Sequence, residues 1–302
     1  MLADLKLSSR YDGMLYLAES VRNVPKLDSH RHVELELNLV LRGWITYIVG
    51  ERRFTFHPRS LLWLYPEQEH HLIALSPDAK FYVAVFKPSL IASACQTPAY
   101  SSLKRGASQP GEVLHARLIP ETFDLIRRSM ESVMQGSLDP DVLNREAGFG
   151  WRSDFAYEHS DPDALNAGLR YLLLLCWRAQ QTGRLSGEAV ALHRCVRRAI
   201  RILNDGNLQV GLDELAKTCG ASEAYLSRMF RKQIGIPLSH YRNTLRLSQF
   251  WEEFRQPEQR TVAEAVYAAG FGSYAQFYKV FTQTYGHGPR AFLAGADRSS
   301  RD

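Results

Sequence analysis

Five polar side chains occupy every second position of one short segment: His30, His32, Glu34, Glu36 and Asn38. Between them stand Arg31, Val33, Leu35, Leu37, Leu39 and Leu41. Imidazoles and carboxylates bind divalent ions, exchange protons, and hydrogen-bond hydroxylated or charged small molecules. A strand has a period of two, so this pattern puts nearly all the polar groups on one face. In a small β-barrel one face lines the interior, and such a strand furnishes a polar site beneath aromatic walls. Trp44, Tyr47, Trp63, Tyr65 and Tyr82 are the candidate walls. GxSxG, Walker-type and GxGxxG motifs do not occur, so nothing points to the nucleophilic or nucleotide chemistry they carry.

A second group of residues suits a different chemistry. Near the C-terminus one pattern is written twice. Ser222-x2-Tyr225-Leu226-x-Arg228-Met229-Phe230, followed by Gly235, matches Ser273-x2-Gln276-Phe277-x-Lys279-Val280-Phe281, followed by Gly286, at an offset of 51 residues. Each copy reads as a helix, a Gly-containing turn, a Ser that caps a second helix, and a Gly stop. That is the order of a helix-turn-helix. In each second helix Leu226, Met229 and Phe230, or Phe277, Val280 and Phe281, form an apolar stripe. The opposite face offers Ala224, Ser227, Arg228, Arg231 and Lys232 in the first copy. In the second copy it offers Ala275, Gln276, Tyr278, Lys279 and Thr282. A recognition helix needs this division, one side anchored and the other presenting small, polar and basic groups to bases and phosphates. Arg228 has the forked guanidinium that matches guanine O6 and N7, while Arg231 and Lys232 are placed for phosphates.

The elements that must hold these groups can be read from pattern. Residues 33–41, 44–49, 60–65 and 81–86 read as short strands, with turns at Gly43, residues 50–52 and residues 57–59. Strands this close, with no helix between, argue for an antiparallel sandwich or barrel. The Ser, Gly and Gln composition of residues 103–111 marks a boundary. Residues 120–135 and 162–181 follow as helices, with Leu165, Leu169, Leu172, Leu173 and Cys176 at helical spacing. Residues 136–160 give no assignment, and residues 189–292 read as helix throughout. Residues 10–24, with Tyr11, Met14, Tyr16 and Val21, are expected to close over the polar site or pack across a dimer.

Composition bounds the rest. The chain has 302 residues, 45% hydrophobic and 23% charged, which is globular and long enough for two domains. From Ser186 onward there are 16 Lys+Arg against 11 Asp+Glu, which leaves 21 of each sign before it. The whole excess of positive charge therefore falls where the repeat lies, as a polyanion-binding part requires. No apolar run approaches the roughly 18 residues of a membrane span, and residues 1–10 lack an export-type apolar core. Cys95, Cys176, Cys195 and Cys219 show no CxxC spacing, which fits a reducing cytoplasm.

Residues 212–292 resemble the C-terminal DNA-binding domain of AraC/XylS-type transcription regulators. Residues 265–292, with Gly270-Phe271, Phe277, Phe281, Gly286 and Pro289-x2-Phe292, are similar to that family's signature. The resemblance implies two helix-turn-helix units joined by a long helix, here residues 237–255, that read adjacent major-groove segments. Val266 departs from the family's usual Ala, Ala275 is too small to hydrogen-bond a base, and Tyr278 is bulky. The second unit is therefore expected to discriminate bases less.

The N-terminal spacing also resembles the cupin signature. His30-x-His32-x3-Glu36-x6-Gly43 matches its first motif, and Ser60-x5-Pro66-x-Gln68-x2-His71 its second. Ser60 and Gln68 replace glycines there, and Leu75 replaces the terminal Asn. In cupin enzymes the equivalents of His30, His32, Glu36 and His71 bind a divalent metal; the degraded second motif favours ligand binding without one.

The expected protein is α+β. An antiparallel cupin-like sensor occupies residues 1–110, a helical dimerisation region 111–185, and an all-α DNA-binding domain 186–302. Its expected ligand-binding residues are His30, His32, Glu34, Glu36, Trp44 and His71. Its expected partners are promoter DNA, a small-molecule effector for which the family's common inducers suggest a sugar, a second copy of the chain, and RNA polymerase. Neither a cofactor nor catalysis is expected of this cytoplasmic activator. The alternative is a metal-dependent cupin enzyme fused to a DNA-binding module.

Overall fold

A computed structural model of the chain describes residues 5, 7–19, 31–104, 112–137, 157–183, 190–254, 261–285 and 288–290. These form two compact units that meet in sequence between Ala191 and Leu192.

Among its described residues the first unit has nine strands: β1 (Gly13–Glu19), β2 (Leu35–Arg42), β3 (Ile45–Val49), β4 (Arg52–Phe56), β5 (Ser60–Leu64), β6 (His70–Leu75), β7 (Lys80–Phe86), β8 (Leu114–Arg117) and β9 (Val190–Ala191). They make two antiparallel sheets, β1-β7-β2-β5-β8 and β6-β3-β4-β9. The ladders between described strands do not close into a barrel; the two sheets face each other as an open sandwich. The corner between β2 and β3 is Gly43, at φ +66°. A Cβ there would run into the Ser76 hydroxyl and the Ala79 backbone, so only glycine turns this corner.

The alternation in β2 works as its sequence implies. Leu35, Leu37 and Leu39 are fully buried on one face, opposite Ala84, Trp63 and Leu61 in neighbouring strands. That face is covered by α3 (Pro162–Thr182), where Trp177 meets Trp63 edge-on at 5.9 Å. Asp161 caps α3 by accepting from Ala164 N–H at 2.9 Å, and the stripe Leu165, Leu169, Leu172, Leu173 and Cys176 is wholly buried. Each such leucine contributes about 1.5–3 kcal/mol when removed from water. The sheet of its own unit is therefore the partner that this stripe needs. Helix α1 (Pro88–Ala94) and α2 (Pro120–Val133) complete the layer.

Of residues 10–24, expected to close over the polar site or pack across a dimer, 20–24 lie outside the described residues. The described part forms β1, paired with β7 from Gly13↔Phe86 to Glu19↔Lys80. The run Met14–Leu17 is apolar on both faces because this edge strand is covered on both.

The second unit is helical among its described residues: α4 (Arg194–Asn204), α5 (Leu212–Thr218), α6 (Glu223–Ile234), α7 (Leu238–Phe254), α8 (Val262–Ala268) and α9 (Tyr274–Tyr285). The repeated serines cap as expected. Ser222 accepts from Tyr225 N–H at 3.3 Å and Ser273 from Gln276 N–H at 3.1 Å. Gly235 ends α6 in the left-handed region at φ +87°, and α7 spans the two copies. Phe250 on α7 packs against Phe277 at 4.6 Å and Phe281 at 6.2 Å, which fixes the second copy to the connecting helix.

Candidate functional site

The inner face of the sandwich holds a polar cluster built from three strands. Glu36 and Asn38 point inward from β2. Asn38 Nδ2 donates to Glu36 Oε1 at 2.6 Å, and the Tyr47 hydroxyl of β3 donates to Asn38 Oδ1 at 3.4 Å. The other carboxylate oxygen, Oε2, faces two imidazoles: His32 Nε2 at 3.2 Å and His70 Nε2 at 3.6 Å. Both rings are pinned from behind, His32 Nδ1 to the Glu34 carbonyl at 3.1 Å and His70 Nδ1 to the Gln68 carbonyl at 2.8 Å. A carbonyl only accepts, so both Nδ1 atoms carry protons and both Nε2 atoms are left for Glu36.

The electrostatics follow. Burial by itself would raise the Glu36 carboxyl, but hydrogen bonds and charge from His32 and His70 hold it well below the carboxylate range. Burial likewise opposes charge on His32, yet the hydrogen bond and charge of Glu36, with the charge of Glu34, raise its pKa overall. Burial and then the Glu36 charge push the Tyr16 and Tyr47 phenols up, so these stay neutral hydrogen-bonding groups. Glu34 lies at the edge of the cluster, 8% exposed. Its Oε2 is buried with no hydrogen-bond partner among the described residues; it lies 3.5 Å from His32 Nδ1.

The cluster corrects two expectations. The histidine that joins His32 and Glu36 is His70, not His71. A register shift between β3 and β6 at Thr46/Tyr47 pairs Val49 with His70 and Ile48 with His71. Val49 shares the inward face of Tyr47, so His70 points inward and His71 to the other side. Trp44 stands just after the Gly43 corner and is 37% exposed, held by its backbone to Ser76; it lines nothing inward. His30 lies outside the described residues. His70 is the site residue that the sequence pattern does not mark. Its signal is strand register, which residue spacing alone does not carry.

His32, Glu36 and His70 are the one described group whose donor atoms, all within 4.8 Å of one another, could take a metal ion. Two imidazoles and a carboxylate would fit a divalent first-row metal if the Nε2 protons that now face Glu36 were given up, and the carbonyls behind the rings would act as orienting partners.

In the second unit, α6 exposes Ala224, Arg228, Arg231 and Lys232, with Ser227 half-buried. Arg228 lies over the Tyr225 ring at 5.7 Å. Helix α9 exposes Ala275, Tyr278 and Lys279, with Gln276 half-buried. Opposite faces bury Leu226, Phe230, Phe277 and Phe281 completely.

Residues 22–138 match the model of the AraC-like ligand binding domain, and residues 215–295 that of a helix-turn-helix domain. A β-sandwich that binds a small molecule, followed by paired helix-turn-helix units, defines a ligand-responsive, DNA-binding transcription regulator. The chain belongs to the AraC family of such regulators. No curated protein matches it. Among solved structures, ToxT from Vibrio cholerae O395 aligns at 11% identity over 93% of this chain and 97% of its own, TM-score 0.33. Unsaturated fatty acid-bound wild-type ToxT from Vibrio cholerae strain SCE256 aligns at 13% identity over 93% and 94%, TM-score 0.34. The AraC-like transcriptional activator CuxR aligns at 13% identity over 78% and 72%, TM-score 0.30. These scores are low, and the assignment stands on the two domain models. No described helix is long and apolar enough to cross a membrane.

Proposed function

We propose that this regulator binds an effector with several hydrogen-bond donors, of which a sugar is the leading class, against Glu34, Glu36, His32 and His70. The observation that carries this reading is the buried Glu34 Oε2 without a hydrogen-bond partner among the described residues, beside a carboxylate held ionised. A buried acceptor left unsatisfied costs about 1–3 kcal/mol, and a ligand hydroxyl or ammonium removes that cost. Residues 1–110 act as the sensor, 111–185 as the dimerisation region and 186–302 as the DNA-binding part, in a cytoplasmic activator that contacts RNA polymerase and is not an enzyme. Exposed Ile119, Leu125 and Tyr171 on or beside α2 and α3 support a homodimer. Ala224, Ser227, Arg228, Arg231, Lys232, Ala275, Gln276 and Lys279 contact DNA. The test is calorimetry of chelator-treated protein against sugars, polyols, amines and carboxylates. The reading expects binding from a polyol or amine, lost in Glu34→Ala; binding only of ligands without donors contradicts it.

The convergence of two Nε2 atoms on Glu36 Oε2 favours a second reading, in which a divalent ion sits in the site. His32, Glu36 and His70 would hold it, and it would supply a Lewis-acidic centre for an effector's oxygens or for the chemistry of a cupin-type enzyme. Metal analysis of the purified protein separates the readings. Near-stoichiometric metal lost in His70→Ala selects the second, and its absence after growth in Fe, Mn, Ni and Zn selects the first.

A further inference from the structure

The connecting helix α7 carries two arginines one turn apart, Arg242 and Arg246. Arg246 is 6% exposed. Its Nε and Nη2 both donate to the Leu208 carbonyl, at 3.2 and 2.6 Å, and its guanidinium lies 5.8 Å from the centre of the Phe271 ring. Arg242 is half-buried. Its Nη1 donates to the Val210 carbonyl at 2.8 Å, and its buried Nε has no hydrogen-bond partner among the described residues. No described carboxylate pairs with either arginine. Burial, then the Arg242 charge, pulls the Arg246 pKa down to about 10. Two cations thus share a partly dry position with no anion among the described residues, an arrangement that costs stability unless something else compensates it.

Both arginines line an open cleft of about 630 Å³. One wall is residues 209–211, which lead into the first helix of the first unit. The other is the turn of the second unit, Gly270 to Gly272, with Gln276 of α9. The cleft therefore lies between the two helix-turn-helix units and runs up to the start of the second recognition helix.

We propose that this cleft seats a phosphate of the DNA backbone between the two recognition helices, with Arg242 meeting the phosphate and Arg246 bracing the walls. The inference rests on the reading that this unit binds DNA. Recognition helices that enter successive major-groove segments sit about 34 Å apart, so a stretch of backbone must cross the connecting helix. A phosphate held there fixes the register of both units without reading any base.

The test is DNA binding by the full chain over a range of salt, for the wild type, Arg242→Gln and Arg242→Lys, with thermal midpoints measured alongside. Loss of one phosphate contact makes the slope of log K against log salt shallower by about 0.9. Arg242→Gln is expected to show that change equally on operator and random DNA, and Arg242→Lys to keep the wild-type slope. Ethylation interference should place the lost phosphate between the two protected major-groove segments. An unchanged slope in Arg242→Gln overturns the inference and leaves the DNA-binding reading intact. So does an equal loss in both variants with a lowered thermal midpoint, which would make Arg242 structural. Unchanged slope together with stabilisation by inorganic phosphate would assign the cleft to a free anion and likewise overturn it. A wild type with no affinity for DNA removes both readings.

Discussion

Asn38 donates to Glu36 Oε1 at 2.6 Å from two residues along the same strand face. This bond fixes which carboxylate oxygen is left for the imidazoles, and so aims Oε2 at His32 and His70. The site is thereby oriented from within β2 before any ligand arrives, and its geometry depends on the strand as much as on the histidines. His70→Ala is expected to weaken effector binding by about 1–3 kcal/mol, as a buried partner lost from a satisfied network does. His71→Ala should leave effector affinity within about threefold while lowering the thermal midpoint, since its side chain is buried on the opposite side. Calorimetry of both variants, with melting curves, checks this.

The charge state of the cluster predicts a stability window in chelator-treated protein. Glu36 is lowered from 4.5, so its contribution is present above that value and fades as pH falls through its folded pKa. His32 is raised from 6.5, so its contribution is present below that value and fades as pH rises through its folded pKa. The sensor unit should therefore be most stable between about pH 4.5 and 6.5 with respect to this pair. Glu36→Gln should flatten the dependence on both sides. Unfolding midpoints measured across pH for the two proteins provide the comparison.

Arg228 and Arg231 should separate by kind of contact. Arg228→Ala is expected to cost about 1–3 kcal/mol on a specific site and relax the preference at one base pair. Arg231→Ala should weaken all sequences alike and reduce the salt slope by about one. Titration on operator and scrambled DNA at several salt concentrations distinguishes them.

The second unit should carry less sequence information. Ala275 presents only a methyl group, and Tyr278 is exposed but bulky on the reading face of α9. Saturation mutagenesis of an operator should show a shallower preference under this unit; equal preference in both halves would contradict it.

How much of this was legible in the sequence depends on the kind of signal. The β2 alternation, the α3 stripe and the doubled serine caps were readable because each is a local period that burial or capping enforces. The duplicated pattern also located both recognition helices. His70 was not readable, because the shift at Thr46/Tyr47 reverses which β6 residues face inward, and a one-residue slip leaves no mark in composition. Strand β1 escaped for a related reason. Covered on both faces, it lacks the alternation that marks a half-exposed strand. Trp44 looked like a wall by type, but its place after the Gly43 corner turns it outward.

Ligand-linked DNA binding is the measurement closest to the central claim. Operator affinity of the wild type and of Glu36→Ala would be titrated with and without a saturating amount of the effector found by calorimetry. A ligand that favours one arrangement of the protein shifts wild-type affinity by about 5- to 150-fold. The account predicts that shift in the wild type, and in Glu36→Ala no shift with basal affinity kept within about threefold. An equal shift in both proteins would contradict it.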